Sequence, residues 1–432
     1  MSNITILILA AGKSTRFKSK ESKIFNDLAG IPIIDHIYYT AKKISNEIIF
    51  VCNNKNIKNL QSRFKNCKFA IQKKQKGTAD AVLSAKKFIK NNSNVLILFG
   101  DVPLLSYYTL RKLVNNFKNR KLFGSMLAFN TNNPFSYGRV ITDGKNIKEI
   151  IEEVNASSET KKVSLCNSGV MICSFKILYS FIKDIKNNNK KKEKYLPDIF
   201  KICYKNNKSF QYILCDEEEM LGINTLNDYN KIDEIYQIRL KRKLIKNGVK
   251  IINPKSVRVS YDTKIGKNSI IEPYVFIQKG VQIKSEVLIK SHTIIESSRI
   301  GFRSSIGPFA RIRPQTIIGK NVKIGNYVEI KKSKIGDNCS ISHLSYIGDS
   351  QLGKNINIGA GTITCNYDGK KKNQTIIRDN VFVGSNTSIV APVTIGNNST
   401  IGAGSVITKN IPSNSLSIER NQQINYKKKL KK

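Results

Sequence analysis

An aliphatic residue recurs about every six positions through the second half of the chain, and a glycine often follows it. An α-helix repeats every 3.6 residues and a strand every two, so neither accounts for this spacing. A parallel β-helix does, because each coil has three flat faces of about six residues, and one aliphatic side chain from each face fills the narrow interior. The positions in this frame are Ile265, Ile271, Ile277, Ile283, Ile289, Ile295, Ile300, Ile306, Ile312, Ile318, Ile324, Ile330, Ile335, Ile341, Ile347, Leu352, Ile358, Ile377, Val383, Ile389, Ile395, Ile401 and Ile407.

The frame pauses between Cys365 and Thr375 and then resumes. We expect these residues to form a loop that leaves the coil. A solenoid places binding residues on such exposed loops, because the coils beneath them are rigid.

Composition narrows the class of protein. The chain has 432 residues, enough for two domains, and its 73 Lys and Arg against 31 Asp and Glu give a formal charge of +42. This balance raises the possibility of a nucleic-acid-binding solenoid. However, the lysines are dispersed among many Asn and Ile residues, whose codons are also rich in A and T, and no aromatic and basic stacking pattern is present. We therefore favour biased codon usage and expect no nucleic-acid partner.

The cysteines and the N-terminus bear on location. Eight cysteines occur without any Cys-x-x-Cys pair, which suits reduced thiols in a cytosol. The apolar run at residues 4–11 lacks a basic flank and is too short for a signal peptide or a membrane span. We expect a cytoplasmic protein that does not insert into a membrane.

The first half of the chain alternates apolar strands with helical stretches. Residues 4–10, 47–52 and 94–99 read as strands, and residues 34–43 and 79–90 read as helices. This alternation predicts an α/β doubly wound sheet whose ligands bind beyond the carboxyl ends of its strands.

Two loops at those strand ends are candidates for phosphate and metal binding. The first strand runs into a small-residue loop with basic side chains, residues 11–16, that fits neither a P-loop nor a dinucleotide fingerprint. After the third strand, Gly100 and Asp101 provide a carboxylate suited to Mg²⁺ that is bound mainly by nucleotide phosphates. The alternative is that Asp101 only begins a turn before Pro103.

Residues 227–246 predict a helix, because they lack Gly and Pro and carry apolar residues at helical spacing. A basic helix could lie on a membrane surface, but the acidic residues at 228, 233 and 234 favour a connector between two domains.

These motifs, taken in order, resemble a known family. Residues 9–16, Gln72 with Gly77-Thr78, Gly100-Asp101, residues 137–139, Glu152, residues 167–169 and residues 222–224 follow the order of sugar-phosphate nucleotidylyltransferases. Joined to a hexapeptide β-helix with residues 343–346 and 357–368, the chain resembles over nearly its full length the bacterial bifunctional N-acetylglucosamine-1-phosphate uridylyltransferase and glucosamine-1-phosphate N-acetyltransferase.

The resemblance implies the fold and the domain limits. It implies an α/β nucleotidyltransferase domain, Rossmann-like with a mostly parallel sheet, at residues 1–226, and a linker helix at 227–247. A left-handed parallel β-helix of hexapeptide repeats, the acetyltransferase domain, would follow at 248–432. It also implies a homotrimer with sites between subunits.

The resemblance further implies two successive reactions that make UDP-N-acetylglucosamine for cell-wall precursors. Acetyl-coenzyme A would acetylate glucosamine 1-phosphate, and the product would then attack UTP and release pyrophosphate. In the first domain, Mg²⁺ would be held by Asp101 and Asn224. The nucleotide and sugar would meet Leu9, Ala10, Ala11, Gly12, Arg16, Lys23, Gln72, Gly77, Thr78, Phe99, Gly100, Gly138, Glu152, Asn167 and Asn224.

In the β-helix, His343 is the candidate catalytic base. A neutral imidazole is matched to take a proton from an amine that attacks a thioester. We expect His36 and His292 to be structural. The resemblance assigns sugar phosphate and acetyl-coenzyme A to Arg313, Lys331, Tyr346, Asn357, Ala360, Asn366, Tyr367, Ser385, Ala403 and Arg420.

Several positions depart from the family pattern. They are Ser14 in place of a glycine, Ser22 of a proline, Ala79-Asp80 of a Gly-His pair, Phe99 of a tyrosine, Val154 of a lysine and Glu419 of a small residue. We expect the first-domain departures to weaken uridylyl transfer rather than abolish it. The alternative that only one domain is active, the other being structural, stays open.

Overall fold

The computed structural model describes residues 4–12, 15–17, 22–74, 76–120, 122–185, 194–208 and 210–426. Ser14, the lysine run at 190–192 and the basic tail at 427–432 lie outside the described residues. The chain divides into two compact units, Met1–Ile235 and Tyr236–Lys432.

The first unit is built around one nine-stranded sheet. Its strands, together with a separate two-stranded hairpin of β2 and β3, are β1 (Ile4–Leu9), β2 (Asp27–Leu28), β3 (Ile31–Pro32), β4 (Ile48–Cys52), β5 (Lys68–Ile71), β6 (Asn94–Phe99), β7 (Gly124–Asn130), β8 (Arg139–Asp143), β9 (Asn146–Ile151), β10 (Leu165–Ser174) and β11 (Phe210–Leu214). The helices are α1 (Ile33–Lys42), α2 (Ile57–Arg63), α3 (Thr78–Ser84), α4 (Tyr107–Asn119), α5 (Ser158–Lys161), α6 (Phe175–Ile182), α7 (Asp198–Lys205) and α8 (Leu226–Lys246).

The sheet order is β5-β4-β1-β6-β10-β7-β11-β9-β8. The first four strands in this order are parallel, as the predicted fold class requires. In the other half, β10 runs antiparallel to both of its neighbours, β6 and β7, while β7 and β11 are parallel. The parallel half therefore carries the strand ends at which ligands of this fold bind, and the mixed half extends the sheet.

Strand β1 is apolar throughout because both of its faces are covered. Ile6 and Ile8 pack in one cluster with residues of α1, α2 and α4, whereas Leu7 packs in the opposite cluster with residues of α3, α6 and α7. A strand between two helical layers has no solvent face, so its side chains need no polar alternation.

The predicted helix at 79–90 is shorter in the structure. α3 ends at Ser84, and a single 3-10 turn at Lys86–Phe88 follows. Ile89 then adopts an extended backbone and is buried, which directs the chain towards β6.

The second unit is a parallel β-helix, as the six-residue period predicts. Its first face contains Lys250–Ile251, Ile270–Ile271, Leu288–Ile289, Ser305–Ile306, Lys323–Asn326, Ser340–His343, Asn357–Ile358, Phe382–Val383, Thr400–Ile401 and Leu416–Ser417. The second face contains Arg258–Val259, Phe276–Ile277, Ile294–Ile295, Arg311–Ile312, Glu329–Lys331, Tyr346–Gly348, Ile363–Cys365, Ser388–Val390 and Val406–Ile407. The third face contains Lys264–Ile265, Gln282–Ile283, Arg299–Ile300, Ile317–Ile318, Lys334–Ile335, Ser350–Leu352, Thr375–Ile377 and Val393–Ile395.

The coils stack with their aliphatic residues in register. Ile300 pairs with Ile318, and Ile318 pairs with Ile335, so each coil places its isoleucine directly over that of the coil before. Residues of the predicted frame form one continuous buried core. On the first two faces of the first coil, Ile251 and Val259 also belong to this core, although the sequence frame begins only at Ile265 on the third face.

Helix α8 closes the first coil. The Gln237 side chain donates to the Val259 carbonyl (2.9 Å) and accepts from the Val259 N–H (3.1 Å), and Lys241 Nζ donates to the carbonyls of Pro254 (2.5 Å) and Val257 (3.0 Å). A solenoid needs such a cap because its terminal strand has no further coil to pair with.

Two ladders of side chains run along the corners of the coils, where the backbone is left-handed. Asparagine amides bond one to the next through Asn321, Asn338, Asn355, Asn380, Asn398 and Asn414. At another corner the rings of Tyr274, His292, Phe309 and Tyr327 stack with centroids 4.7–5.3 Å apart.

The eight cysteines are free thiols. None of the helices in the described part of the chain is both long and apolar enough to cross a membrane.

Candidate active sites

A cavity of about 890 Å³ lies beyond the carboxyl ends of β1 and β6, where the fold class predicts the ligand site. The predicted residues that line it are Leu9, Ala10, Ala11, Gly12, Arg16, Lys23, Gln72, Gly77, Thr78, Phe99, Asp101, Gly138, Glu152 and Asn167. Gly100 and Asn224 are predicted site residues that do not line this cavity. Gly100 lies behind it and donates its N–H to the Leu9 carbonyl (2.9 Å).

Two asparagines that sequence reasoning missed hold the loop after β1. The Asn56 amide donates to the Ala10 carbonyl (2.7 Å), and the Asn53 amide donates to the Ala11 carbonyl (3.0 Å). Asn56 is buried. These bonds fix the path of the loop at the point where a phosphate would meet it.

Lys23 stands at the centre of a cluster of oxygen and cationic groups. Its Nζ lies 2.6 Å from Oδ2 of Asp101 and 3.0 Å from Oδ1 of Asn224. Arg16 Nη2 also donates to Oδ1 of Asn224 (3.2 Å). The carboxylate and the amide oxygen therefore converge on one cationic centre.

The loop that carries Asn224 is tied to Asp101 and to α8. The Ile223 N–H donates to the Asp101 carbonyl (2.9 Å), and Oδ2 of Asp228 accepts from the backbone N–H groups of Asn224 (3.0 Å) and Thr225 (2.8 Å). Asp228 thus positions Asn224 from the first turn of α8, a contribution that no motif in the sequence marked.

The residues present fit Mg²⁺ of the kind that nucleotide phosphates bring with them. Among the described residues, no group of three or more His, Cys, Asp or Glu side chains is placed to hold a metal ion alone. Mg²⁺ in nucleotide enzymes commonly uses one or two protein oxygens and takes the rest from phosphates and water. Asp101 and Asn224 supply two such oxygens. The Lys23 ammonium lies between these oxygens, so this position already favours a positive charge.

Gln72 and the turn before α3 form one end of the cavity. The Gln72 amide nitrogen donates to the Gly77 carbonyl (2.9 Å) and to Oδ2 of Asp80 (2.9 Å). Gly77 has φ 110°, and a Cβ there would lie 2.4 Å from the Lys194 carbonyl oxygen, so only glycine fits. Thr78 Oγ1 accepts from the Leu196 N–H (2.9 Å), which joins this turn to the 194–197 segment.

The opposite end of the cavity lies beside an irregularity in β10. The register of β10 shifts between Asn167 and Met171, and Gly169 there has φ 77° with the Phe99 ring 2.5 Å from the position of a Cβ. Asn167 Oδ1 accepts from the Gly169 N–H (2.7 Å), and the Asn167 N–H donates to the Gly138 carbonyl (2.8 Å). Bulges of this kind turn side chains towards a site.

Arg139 stabilises this end of the cavity through contacts with Glu153 and Tyr137. Its guanidinium is buried, lies 2.6 Å from Oε2 of Glu153 and also donates to the Tyr137 carbonyl. The pair joins the loop that carries Gly138 to the turn after Glu152. Arg139 was part of the resemblance, but its role as a support was not anticipated.

The cavity also has lining residues that the sequence did not indicate. They are Ile24, Ala81, Met126, Phe135, Ser136, Glu153, Met171, Tyr195, Leu196, Pro197 and Phe200, while Tyr137, Ser168 and Gly169 belong to motifs of the resemblance. Five of the departures have a place here. Ser22, Phe99 and Val154 line the cavity, Asp80 accepts from the Gln72 amide, and Ala79 is buried behind the cavity with its N–H on the Lys194 carbonyl (3.1 Å).

In the second unit, five predicted residues lie in a row along one corner of the β-helix. Each of the first four residues of the row is linked to the next coil by a hydrogen bond to its backbone carbonyl. The carbonyls of His343, Ala360 and Ser385 accept from the N–H groups of Gly361, Asn386 and Gly404, which directly follow Ala360, Ser385 and Ala403 in the chain. The Ala403 carbonyl accepts from Arg420 Nη1. Four steps of about 4.8 Å between coils make the row about 19 Å long. This length suits an extended ligand such as the arm of an acyl-coenzyme A.

His343 stands at one end of this row, and its ring is hydrogen-bonded to the preceding coil. Its Nδ1 lies 2.6 Å from Oδ1 of Asn326 on the preceding coil. An amide oxygen can only accept, so Nδ1 carries the proton and the Nε2 lone pair remains to act as a base. Asn326 follows Ile324-Gly325 in the repeat and was not singled out in the sequence.

The other two histidines are structural, as expected. His36 is buried with Nε2 2.9 Å from the Leu28 carbonyl oxygen, and burial lowers its pKa. His292 stacks between Tyr274 and Phe309.

Cationic side chains gather on the second face. Arg313 donates to Oε1 of Glu329 (2.7 Å), and this bond raises the pKa of Arg313. The nearby Lys372 ammonium, with a further effect from Arg313, lowers the pKa of Lys331. Lys372 belongs to the loop between the coils, so the loop adds a third cation to the predicted pair.

That loop is tied to itself and to the coil. Asp368 accepts from the N–H groups of Lys370 (2.9 Å) and Lys371 (2.8 Å), and these bonds lower its pKa to about 2. The Asn366 amide donates to Oδ2 of Asp349 (2.6 Å), and the Tyr367 hydroxyl donates to the Gly369 carbonyl (2.7 Å). These hydrogen bonds therefore hold the backbone of the loop, and with it the side chains that it carries, in a defined position.

The remaining predicted residues lie on neighbouring strands. Tyr346 pairs with Glu329 and Ile363 on the second face, and Asn357 pairs with Ser340 and Phe382 on the first. Glu419, the last departure, is anchored on the coil before it, where its Oε2 accepts from the Val406 N–H (3.0 Å).

Family models match both units. A MobA-like NTP transferase domain matches residues 6–141, a bacterial transferase hexapeptide model of six repeats matches 374–409, and a GMPPB C-terminal domain matches 302–367. Together with the two sites, these matches define a nucleotidyltransferase unit joined to a hexapeptide transferase, whose coils form a left-handed parallel β-helix.

Full-length relatives identify the family. The bifunctional protein GlmU of Thermodesulfovibrio yellowstonii is 41% identical over 443 residues, which cover 97% of this chain and 97% of that protein. GlmU of Thermosipho africanus is 41% identical over 97% of this chain and 95% of that protein, and GlmU of Bartonella bacilliformis is 39% identical over 98% and 95%. The chain belongs to the GlmU family of bifunctional proteins.

Proposed function

We propose that the chain is a bifunctional enzyme that acetylates glucosamine 1-phosphate and then joins the product to UTP, giving UDP-N-acetylglucosamine and pyrophosphate. The observation that carries the proposal is the identity of 41% over 97% of the chain to a bifunctional relative, with both candidate sites built. Within the chain, we assign residues 1–226 to uridylyl transfer, 227–247 to the connecting helix and 248–432 to acetyl transfer.

In acetyl transfer, the amine of glucosamine 1-phosphate attacks the thioester carbon of acetyl-coenzyme A, and the carbon–sulfur bond breaks to release coenzyme A as a thiolate, which finally receives the proton that the amine lost. His343 Nε2 takes the proton that the amine loses, while Asn326 holds Nδ1 in the donor form. Arg313, Lys331 and Lys372 are placed to bind the phosphate of the sugar. Its negative charge would offset the mutual repulsion of the Lys331 and Lys372 ammonium groups.

In uridylyl transfer, a phosphate oxygen of the sugar phosphate attacks the α-phosphorus of UTP, and the bond to pyrophosphate breaks. Arg16 and Lys23 are placed to neutralise the phosphates, and the loop of Ala10 to Gly12 positions them. When bound, Mg²⁺ would stabilise the charge on the transferring phosphates. Asp101 and Asn224 would hold it.

We further propose a homotrimer acting in the cytoplasm. His343 and Arg420 are exposed along one corner of the β-helix, and Tyr367 is exposed on the loop that follows the second face. Acetyl transfer requires that water be excluded from the thioester. Neighbouring subunits that cover this corner would enclose the site and exclude water from it.

A coupled assay tests both activities at once. Purified protein is given glucosamine 1-phosphate, acetyl-coenzyme A, UTP and Mg²⁺, and coenzyme A and pyrophosphate are followed separately. Release of both products is expected, with pyrophosphate depending on prior acetylation. Release of only one would leave a single active domain, and sedimentation of the same sample would test the trimer.

A further inference from the structure

Gln72, at the end of β5, has its side-chain amide held in one orientation. The residue is 6% exposed and lines the first-domain cavity. Its terminal Nε2 lies 2.9 Å from the Gly77 carbonyl oxygen and 2.9 Å from Oδ2 of Asp80.

The chemistry of these two partners determines which way the amide faces. A backbone carbonyl and an ionised carboxylate can accept hydrogen bonds but cannot donate them. The Gln72 atom that faces both must therefore be the nitrogen, and both of its hydrogens are used. Its oxygen, Oε1, accepts no hydrogen bond from any described residue and remains as the polar atom that Gln72 can offer to a ligand.

A hydrogen-bond acceptor such as Gln72 Oε1 at this position can distinguish one pyrimidine base of a nucleotide from another. Uracil carries an N–H donor at N3, whereas cytosine has a lone pair at the same atom. A fixed oxygen would bond the first and repel the second, and a buried site with one orientation discriminates more strongly than one that can rotate.

We propose that Asp80 is a positioning residue that makes the uridylyltransferase site selective for uracil over cytosine by holding the Gln72 carboxamide with its oxygen towards the base. The inference rests on the proposed uridylyl transfer and deepens it. It gives a role to a residue at which this chain departs from the family pattern.

The test compares UTP with CTP in the Asp80→Asn variant. An asparagine can turn its own NH₂ towards Gln72, so only the Gly77 carbonyl still favours the observed orientation, and the flipped amide becomes more populated. Steady-state kcat/KM for pyrophosphate release is measured with each nucleotide, using N-acetylglucosamine 1-phosphate and Mg²⁺, and binding of each nucleotide is measured by calorimetry.

We expect the wild-type chain to prefer UTP by roughly 100-fold or more, and Asp80→Asn to reduce this preference by roughly tenfold or more. Because UTP and CTP carry the same triphosphate, loss of the Asp80 charge affects both equally and cancels in the ratio. Asp80→Glu, which keeps an acceptor-only group, should restore most of the preference.

Asp184→Asn is the matched control. It removes the same charge from an exposed position at the end of α6 and should leave the ratio unchanged. If Asp80→Asn does not fold, Asp80→Ser provides a hydroxyl that can donate or accept, and the same fall in the ratio is expected.

An Asp80→Asn chain that is folded, active and as selective as wild type would overturn the role of Asp80. That result differs from failure of the proposed function, in which the wild-type chain itself would release no pyrophosphate from either nucleotide.

Discussion

Single residues in both sites depend on neighbours that the sequence pattern does not mark. Asn326 fixes the tautomer of His343, and Asp228 fixes the backbone of Asn224. The candidate reactive residues could be proposed from the sequence, because His343 is a rare histidine within an aliphatic repeat and Asp101 follows an apolar strand. Their supports could not, because Asn326 and Asp228 occupy positions at which asparagine or aspartate is ordinary.

Replacing His343 by alanine tests the base. Without the Nε2 lone pair, acetyl transfer should fall by roughly two orders of magnitude or more, while uridylyl transfer is unchanged. The measurement is release of coenzyme A, followed across a range of pH. Asn326→Ala should give a smaller loss, because the imidazole remains but can adopt the other tautomer.

His292→Ala is the control for the loss of a histidine from the same β-helix, since His292 only stacks between two rings. Acetyl transfer at a near wild-type rate in His343→Ala would remove this residue from the mechanism.

Replacing Asp101 by alanine tests the metal site. One of the two protein oxygens that we propose for the metal is lost, so binding of Mn²⁺ with UTP, measured by electron paramagnetic resonance, should weaken, and pyrophosphate release should fall roughly 100-fold or more. Acetyl transfer is expected to continue, because it takes place in the other unit. Parallel loss of both activities would point to misfolding instead.

At the scale of elements, the β-helix was the easier half to predict. Its sequence repeats once per face, and every aliphatic residue of the six-residue frame lies in the buried core. In the first unit, β1, β4 and β6 could be found because they are continuous apolar runs. The antiparallel strand β10 could not, since its pairing with both β6 and β7 depends on residues far apart in sequence.

The asparagine ladder should be a measurable source of stability. Asn355 bonds to Asn338 (3.1 Å) and Asn380 (2.9 Å) and has φ 57°. Asn355→Ala loses the ladder bonds and adds about 1–2 kcal/mol of left-handed strain, whereas Asn355→Gly loses the bonds alone. We therefore expect Ala to lower the free energy of unfolding more than Gly, by about that strain.

Urea unfolding, monitored through loss of acetyl transfer, measures both variants against wild type. Equal midpoints for Ala and Gly would show that the corner backbone tolerates a side chain without cost.

At the scale of the whole molecule, each unit buries its own core. Two apolar clusters cover the faces of the first sheet, and a separate one fills the β-helix. Units of this kind commonly fold alone. The domain limits at 226 and 247 stay a prediction.

A pair of fragments tests this independence and the contribution of α8. A fragment of residues 1–235 keeps Asp228 and also Tyr229, whose hydroxyl donates to the Asp27 carbonyl (2.6 Å), whereas a fragment of residues 1–226 loses both. Both should fold and convert N-acetylglucosamine 1-phosphate with UTP. The longer one should be more stable by about 1–3 kcal/mol and bind Mn²⁺ with UTP more tightly.

Calorimetric unfolding and the paramagnetic titration provide the two readouts. An insoluble fragment of residues 1–235 would contradict the independence of the first unit, and equal behaviour of the two fragments would remove α8 from the metal site.

The loop between Cys365 and Thr375 has a consequence for how such a protein can change. Ser350 pairs with Thr375 in the next coil as regularly as if no residues had been added between the coils, and the loop is closed by a bridge from Tyr367 to Lys372. Its length is therefore independent of the pitch of the solenoid. We therefore expect that residues can be added to this segment or removed from it while every isoleucine of the scaffold keeps its place.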